Sequence, residues 1–225
     1  MAMGPLVCFV YPAGTKTAGR PVTELNTDER ETGIAVAPDG LTIWFSSDRD
    51  GDNLDVYVST REDNAGTFGE PVRVPSLSTD KDDLVSGISA DELTLTLALR
   101  EVRNGNYDIY LSTRASKDSD FPAATPLDAL NTDGKDGDAS IVGELGLDLV
   151  FTRGPDGGHG DLFIARRASR DAPFGPDDVI ELEELNTEWD ERDPWISEGL
   201  DYIVFSSNRK DSGDEDSYQL YEAFR

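Results

Sequence analysis

The sequence predicts an all-β fold, a four-bladed β-propeller, from three observations. A short Leu-Asn/Ser-Thr motif occurs four times, at spacings of 52, 53 and 55 residues. Each copy precedes an acidic loop, two short apolar strands joined by a turn, a Gly-containing loop and an aromatic third strand. No stretch of ten or more residues shows the apolar period of a helix. Repeats of this length made only of strands are typical of propellers. The four copies are Leu25-Asn26-Thr27, Leu77-Ser78-Thr79, Leu130-Asn131-Thr132 and Leu185-Asn186-Thr187.

The repeats divide the chain into four blades within one domain that spans residues 1–225. The first three blades cover approximately residues 25–76, 77–129 and 130–184. The fourth covers residues 185–225 and ends after its third strand, so it lacks an outer strand of its own. We expect residues 20–24 to supply that strand, because closing the ring removes exposed sheet edges.

Within a repeat, each element has its own sequence signal. The turn between the first two strands carries Pro38-Asp39-Gly40 in the first repeat and Glu144-Leu145-Gly146 in the third, and such residues supply the positive φ of a tight hairpin. A Pro at the fourth strand suits an outer edge, where no ladder donor is needed. An Arg follows the aromatic residue of each third strand by four positions, which indicates a structural role repeated in each blade. These arginines are Arg61, Arg114, Arg167 and Arg225.

One N-terminal segment does not fit the four-blade pattern. Leu6 to Tyr11 reads as a further strand and resembles a third strand of the repeat. It is either an extra edge strand on the closing blade or the remnant of a fifth, incomplete blade. Four blades are favoured, because only four pairs of first and second strands are present.

The repeat resembles that of TolB-like propellers, a WD-like repeat with a Ser-Pro-Asp-Gly core. The resemblance is carried by the run Val36 to Arg49 followed by Leu54 to Tyr57, and Ile203 to Arg209 echoes it in the fourth repeat. It implies a propeller and, since many such proteins are exported bacterial scaffolds, a periplasmic or extracellular location, with the cytoplasm as the alternative. It does not fix an activity, because some relatives are domains attached to peptidases.

The composition excludes several classes of partner. The net charge of −26 and pI near 4.1 would repel nucleic acid and anionic membrane surfaces. No apolar run is long enough to span a membrane. The single Cys8 and single His159 exclude an internal disulfide and a Cys/His zinc cluster. Self-repulsion at this charge also favours a monomer.

The strongest candidate for a ligand site is the acidic loop after each Leu-Asn/Ser-Thr motif. Aligning the repeats on Phe45, Leu97, Phe151 and Phe205 gives two equivalent positions, which we expect at one mouth of the channel. There, carboxylates would focus a negative potential or bind a cation. The alternative is that each acidic side chain caps a turn or pairs with an Arg. The first position holds Arg30, Asp82, Asp136 and Asp190, and the second holds Glu31, Asp83, Gly137 and Glu191.

A second acidic cluster, with Asp48, Asp50 and Asp52 at alternate positions, resembles part of a calcium loop. Such a loop requires Gly directly after the third Asp and a bidentate Glu further on. In this chain Gly51 precedes the third Asp, and no Glu falls at the required distance. Ca²⁺ is therefore one interpretation, and a tight strand connection is the other.

Two tryptophans interrupt the repeat near the same mouth. Trp189 is a candidate for a recognition surface, and Trp195 is expected to pack between blades. No catalytic residue is assigned, because no nucleophile motif is present. The sequence thus predicts a non-enzymatic binding propeller whose mouth takes a protein, peptide or cationic ligand. The alternative is a glycosidase-like hydrolase that uses Asp82, Asp136, Asp190 and Glu191 as acid and base.

Overall fold

The computed structural model describes residues 21–100, 106–143, 145–155, 158–209 and 218–225. These residues form four antiparallel sheets arranged as a four-bladed β-propeller, so the predicted fold class is confirmed. No α-helix occurs among them, and one 3-10 turn covers Pro176–Asp178. Consequently no helix in the described ranges has the length and apolarity needed to cross a membrane.

Each blade is a meander whose strands run in chain order. Blade 1 consists of β1 (Glu31–Val36), β2 (Thr42–Ser47), β3 (Asp55–Thr60) and β4 (Val72–Arg73). Blade 2 consists of β5 (Asp82–Ile88), β6 (Thr94–Arg100), β7 (Tyr107–Thr113) and β8 (Thr125–Pro126). Blade 3 consists of β9 (Lys135–Val142), β10 (Asp148–Gly154), β11 (Asp161–Arg166) and β12 (Val179–Glu181). Blade 4 consists of β13 (Glu191–Ile196), β14 (Tyr202–Ser207) and β15 (Gln219–Phe224).

Turn residues set the hairpin between β1 and β2 as the sequence predicts. Gly40 has φ +75°, and its N–H donates a 2.8 Å hydrogen bond to the carbonyl of Ala37. The Asp39 carboxylate accepts the N–H of Leu41 at 2.9 Å. A left-handed residue here lets two short strands reverse direction without splaying.

Most of the core lies between blades. One face of blade 1, with Val56 at its centre, packs against Val85 and Leu97 of blade 2. Ile109 of blade 2 and Leu162 of blade 3 fill the same place in the next two interfaces. Three blade interfaces built to one pattern therefore hold the four sheets together.

The repeated arginines serve the structural role that their recurrence predicts. The Nε of Arg61, Arg114 and Arg167 donates to the carbonyl of the preceding hairpin at 2.8, 2.9 and 2.9 Å. Each guanidinium also lies over a Phe ring, at 4.6, 4.5 and 5.0 Å from the ring centre. These contacts tie the hairpin to the loop that follows the third strand.

The closing strand differs from the prediction. Residues 21–24 are not in a strand, and the N–H of Leu25 donates instead to the carbonyl of Val22 at 3.0 Å. Leu77, Leu130 and Leu185 make the same turn just after an outer strand. By this register any strand that pairs with β15 would precede Val22, and Arg20 and the Leu6 to Tyr11 segment lie outside the described residues.

Candidate ligand site in the central channel

The first strand of every blade lines a central channel of about 550 Å³. Its lining is about half polar and half apolar. Blades 3 and 4 contribute charged groups, and blades 1 and 2 contribute small or apolar ones. The side chains that matter most below are Thr32, Asp138, Thr152, Asp190, Arg192 and Asp193.

A β-bulge residue in the first strand determines which side chain faces the channel. The pairing of first and second strands slips after Thr32, Gly137 and Arg192. The next residue is left-handed in all three blades: Gly33 has φ +55°, Asp138 +50° and Asp193 +51°. A Cβ at Gly33 would lie 2.7 Å from the Val85 carbonyl, so blade 1 needs glycine there. Blades 3 and 4 instead place a carboxylate at this bulge, and Asp is among the few side chains that tolerate the conformation.

Asp138 is a channel-lining carboxylate with a shifted pKa. Burial among protein atoms raises its pKa to about 6, and the negative charge of Asp193 acts in the same direction. The Asp193 N–H and the Arg192 charge only partly offset these effects. The side chain is nevertheless open to the channel lumen, so a ligand can reach it.

Thr152 lies beside this carboxylate pair. Its side chain is more than nine-tenths buried, and its hydroxyl oxygen makes no hydrogen bond of ordinary geometry. It lies near enough to Asp138 to favour the charged form of that carboxylate. A buried hydroxyl that lines a cavity without a good partner is a position where a ligand or an ordered water is expected to bind.

Asp190 and Arg192 of blade 4 are paired with each other, and Asp193 is hydrogen-bonded to a neighbouring strand. Asp190 accepts the Tyr218 hydroxyl at 2.6 Å and the Gly160 N–H at 2.7 Å, and it forms an ion pair with Arg192. Burial alone would raise the pKa of Asp190, but the hydrogen bonds from Arg192 and Tyr218 lower it. The same arrangement raises the pKa of Tyr218 to about 12 through burial and its bond to Asp190. Asp193 in turn accepts the Ser206 hydroxyl at 2.9 Å.

Four acidic loop residues from the sequence alignment form hydrogen bonds within their own repeat. One carboxylate per blade accepts the backbone N–H of the motif Thr four residues earlier, at 2.6 to 3.1 Å. The hydroxyl of that Thr also donates to the carboxylate. These carboxylates are Glu31, Asp83, Asp136 and Glu191. Each side chain thus ties the start of its blade to the preceding loop.

The position of Asp136 corrects the sequence alignment by one residue. Asp136 pairs with Arg153 across the sheet, as Glu31 pairs with Ser47, so it is equivalent to Glu31 and not to Asp82. Lys135 takes the place that Asp82 and Asp190 hold in their blades. The cause is one extra residue in β9, between the acidic position and Phe151.

The other predicted mouth residues also form ion pairs or hydrogen bonds within the protein, or are buried. The Arg30 N–H donates to Asp48 at 2.8 Å, and its guanidinium lies 3.2 Å from the same carboxylate. Asp82 accepts the N–H of Leu54 from blade 1 at 3.0 Å and pairs with Arg100. Burial raises the pKa of Asp83 to about 6 despite its bonds to Thr79.

Two side chains of the predicted calcium loop also bond to other groups of the protein. Asp48 is bound to Arg30 as described, and Asp50 accepts the Tyr57 hydroxyl at 2.7 Å. Among the described residues, no three His, Cys, Asp or Glu side chains converge in a way that could hold a metal ion. We therefore take the calcium prediction for Asp48, Asp50 and Asp52 no further.

The two tryptophans differ in exposure, and Trp195 departs from the prediction. Trp189 is half-buried, with its ring 6.4 Å from the imidazole of His159. Trp195, which was predicted to pack between blades, is instead exposed at the channel wall. Its exposure follows from the absence of a neighbouring sheet on that side of blade 4 in the described part of the chain.

Sequence reasoning missed the channel groups Asp138, Thr152, Arg192 and Asp193. The available signal was a departure from the repeat, since an acid replaces Gly33 at the bulge of two blades. The alignment could not use this signal, because the extra residue in β9 displaced Asp138 from Asp193.

Comparison with known proteins supports the fold. No protein-family model matches the sequence, and no curated protein matches it either. An Agrobacterium tumefaciens structure assigned as TolB is similar, with a TM-score of 0.58 and 17% identity over 85% of this chain and 65% of that one. TolB from Acinetobacter baumannii gives a TM-score of 0.53 and 15% identity, over 86% of this chain and 40% of that one.

A sialidase has comparable similarity. The NanB sialidase from Streptococcus pneumoniae gives a TM-score of 0.53 and 10% identity, over 84% of this chain and 28% of that one. The chain thus spans less than two-thirds of each of these structures. At these identities the likeness establishes a shared propeller fold and nothing finer.

Proposed function

We propose that the protein is a non-enzymatic binding propeller that takes a cationic ligand, such as a Lys or Arg side chain of a peptide, in its central channel. The observation that carries the proposal is the carboxylate pair Asp138 and Asp193 at the bulges of adjacent blades, which face the channel near the buried Thr152 hydroxyl. A cation placed between these carboxylates would relieve their mutual repulsion.

The charge of the whole chain supports the same class of ligand. A net charge of −26 attracts cations over a long range, and a narrow channel concentrates that field. Arg192 is committed to Asp190, so it leaves the carboxylate pair available. The predicted mouth residues would contribute through the field rather than by contact, since each bonds within the protein. The resemblance noted in the sequence supports a periplasmic or extracellular location for such a protein.

Calorimetric titration with three short peptides tests the proposal. The probes are Ac-Ala-Arg-Ala-NH₂, Ac-Ala-Lys-Ala-NH₂ and the neutral Ac-Ala-Gln-Ala-NH₂, at low ionic strength and pH 7.5. We expect binding of the two cationic peptides only, and a loss of about tenfold or more in affinity in the double variant Asp138→Asn/Asp193→Asn, equivalent to at least about 1.4 kcal/mol. Affinity should also fall as the pH drops below 6, because Asp138 then takes up a proton.

The matched control removes the same charge elsewhere. Asp177 and Glu183 are exposed and lie outside the channel, so Asp177→Asn/Glu183→Gln should leave affinity nearly unchanged. Equal losses in the two double variants would show that only net charge matters. Equal binding of the Gln peptide would refute the cationic site.

A hydrolase is the second candidate, and the raised pKa of Asp138 favours it. A carboxyl group with a pKa of about 6 beside a second carboxylate, Asp193, has the arrangement of an acid and base pair. This reading moves the catalytic pair from Asp82, Asp136, Asp190 and Glu191 to Asp138 and Asp193. Release of nitrophenol from aryl glycosides that is lost in Asp138→Asn would support it, and no turnover above buffer would dismiss it.

A further inference from the structure

The two end blades expose the two halves of one unfilled blade interface. Within the described residues, no strand of blade 4 makes an extensive contact with a strand of blade 1. The face of blade 4 that would meet a next blade carries Leu220, Phe224 and Trp195, which are 79%, 73% and 52% exposed. The face of blade 1 that would meet a preceding blade exposes Ile34 and Val36, at 62% and 46%, whereas Phe45 and Tyr57 on the same face are buried with Leu25.

The equivalent residues in the other blades are buried. Leu220 pairs with Ser206 as Val56 pairs with Ser46, and Ile109 and Leu162 hold the same place in blades 2 and 3. All three are 0% exposed, since each lies against the following blade. On the other side of the interface, Val85 of blade 2 corresponds to Ile34 and is 2% exposed.

A polar contact of the internal interfaces is open in the same way. Asn131 and Asn186 each exchange two hydrogen bonds with the backbone of Ile109 and Leu162, at 2.8 to 3.2 Å. Asn26 is the equivalent residue of blade 1, and by the same pattern its partner would be the backbone of Leu220. Asn26 is exposed, and its side chain makes no hydrogen bond within the described residues.

We propose that these faces join two copies of this chain, blade 4 of one copy packing against blade 1 of the other. A second copy is the expected occupant of each exposed face, because it presents the matching apolar face and the matching Asn26. The contact would then continue the pattern of the three internal interfaces. Two copies related by a two-fold axis make this contact twice and leave neither face open. The expectation of a monomer considered charge alone, whereas exposed apolar area of this kind marks an interface.

Charge sets the conditions under which association is strongest. Each copy carries −26, so the two repel each other at low ionic strength. Salt screens this repulsion and leaves the apolar contact intact. We therefore expect the dimer fraction to rise with NaCl concentration, opposite to the behaviour of an interface held by ion pairs.

Two single variants and their mixture test the proposal by sedimentation velocity at high salt. Leu220→Asp disables the blade 4 face, and Val36→Asp disables the blade 1 face; Val36 lies outside the channel lining. We expect dimers of the wild type and monomers of each variant alone. An equimolar mixture of the variants should form dimers again, because it retains one intact interface.

The control is Ile180→Asp, which adds the same charge at a residue of the outer strand of blade 3 that is also exposed. It should dimerise like the wild type. Circular dichroism confirms that each variant is folded, which is expected for exposed positions. A wild type that stays monomeric up to high concentration at high salt would overturn the proposal, and so would a mixture that does not reassociate.

Discussion

The protein carries two sets of buried or channel carboxylates that behave in opposite ways. In the first set, Glu31, Asp83, Asp136 and Glu191 repeat once per blade, and each accepts the N–H and hydroxyl of a motif Thr. In the second set, Asp138 and Asp193 occur in two blades only and face the channel. The comparison separates what the repeat needs to fold from what distinguishes one blade from another.

The difference teaches that recurrence marks a structural role and departure marks a candidate site. A residue required by every blade is fixed by bonds to its own repeat, which leaves it little freedom to bind anything else. Asp138 breaks the pattern, because it occupies the bulge position at which blade 1 has Gly33, and it faces the channel. Three measurements of stability sharpen this contrast.

The largest effect is expected from Asp136→Ala. Asp136 is fully buried and holds the Thr132 N–H, the Thr132 hydroxyl and the Nε of Arg153 at 2.6 to 2.8 Å. Its removal leaves a charge and two donors unpaired, so the free energy of unfolding should fall by about 3 kcal/mol. Urea denaturation measures the change.

The repeat itself supplies the control for this variant. Blades 1 and 4 use Glu for the same task, so Asp136→Glu should retain most of the stability that Asp136→Ala loses. Equal losses in the two variants would mean that the hydrogen bonds to Thr132 are not the source of the effect.

A smaller effect of opposite sign is expected from Asp138→Asn. The folded pKa of about 6 exceeds the ordinary 3.8, so the folded protein binds more protons between these values, and stability falls as the pH rises through them. At pH 8 the variant should therefore be more stable than the wild type by about 1 kcal/mol, because channel water reduces the full effect of a two-unit shift.

The difference between the two proteins should vanish below pH 4. Asn tolerates the left-handed backbone of this position, so no strain is added. Asp83 titrates in the same range in both proteins and cancels in the comparison. Thermal melting at pH 4, 6 and 8 tests the pH dependence, and a variant less stable than the wild type at pH 8 would contradict it.

The smallest effect is expected from Arg166→Ala. Arg166 forms two hydrogen bonds with Asp148, at 2.7 and 2.8 Å, but its side chain is mostly exposed. Exposed pairs contribute little, so the loss of stability in urea should stay below about 1 kcal/mol. A loss as large as that of Asp136→Ala would show that burial does not set the ranking.

The fold was predictable because each blade repeats its local signals. The turns at Gly40 and Gly146, the aromatic third strands and the motif Thr all have one physical explanation that holds in every copy. The site was less predictable, because it depends on the register of a bulge. One additional residue in β9 moved Asp136 and Asp138 by a position, and only the pairing of β9 with β10 reveals this. The exposure of Trp195 was hidden for another reason, since a repeat pattern does not show which blades lack a neighbour.

The gap between the end blades also governs how the channel admits its contents. A closed ring offers entry only along its axis and has a fixed bore. In the described part of this molecule, β1 and β13 make no extensive contact, so the channel wall is interrupted between the end blades. In the proposed dimer, a second copy seated on both faces would close this interruption and leave only the axial openings.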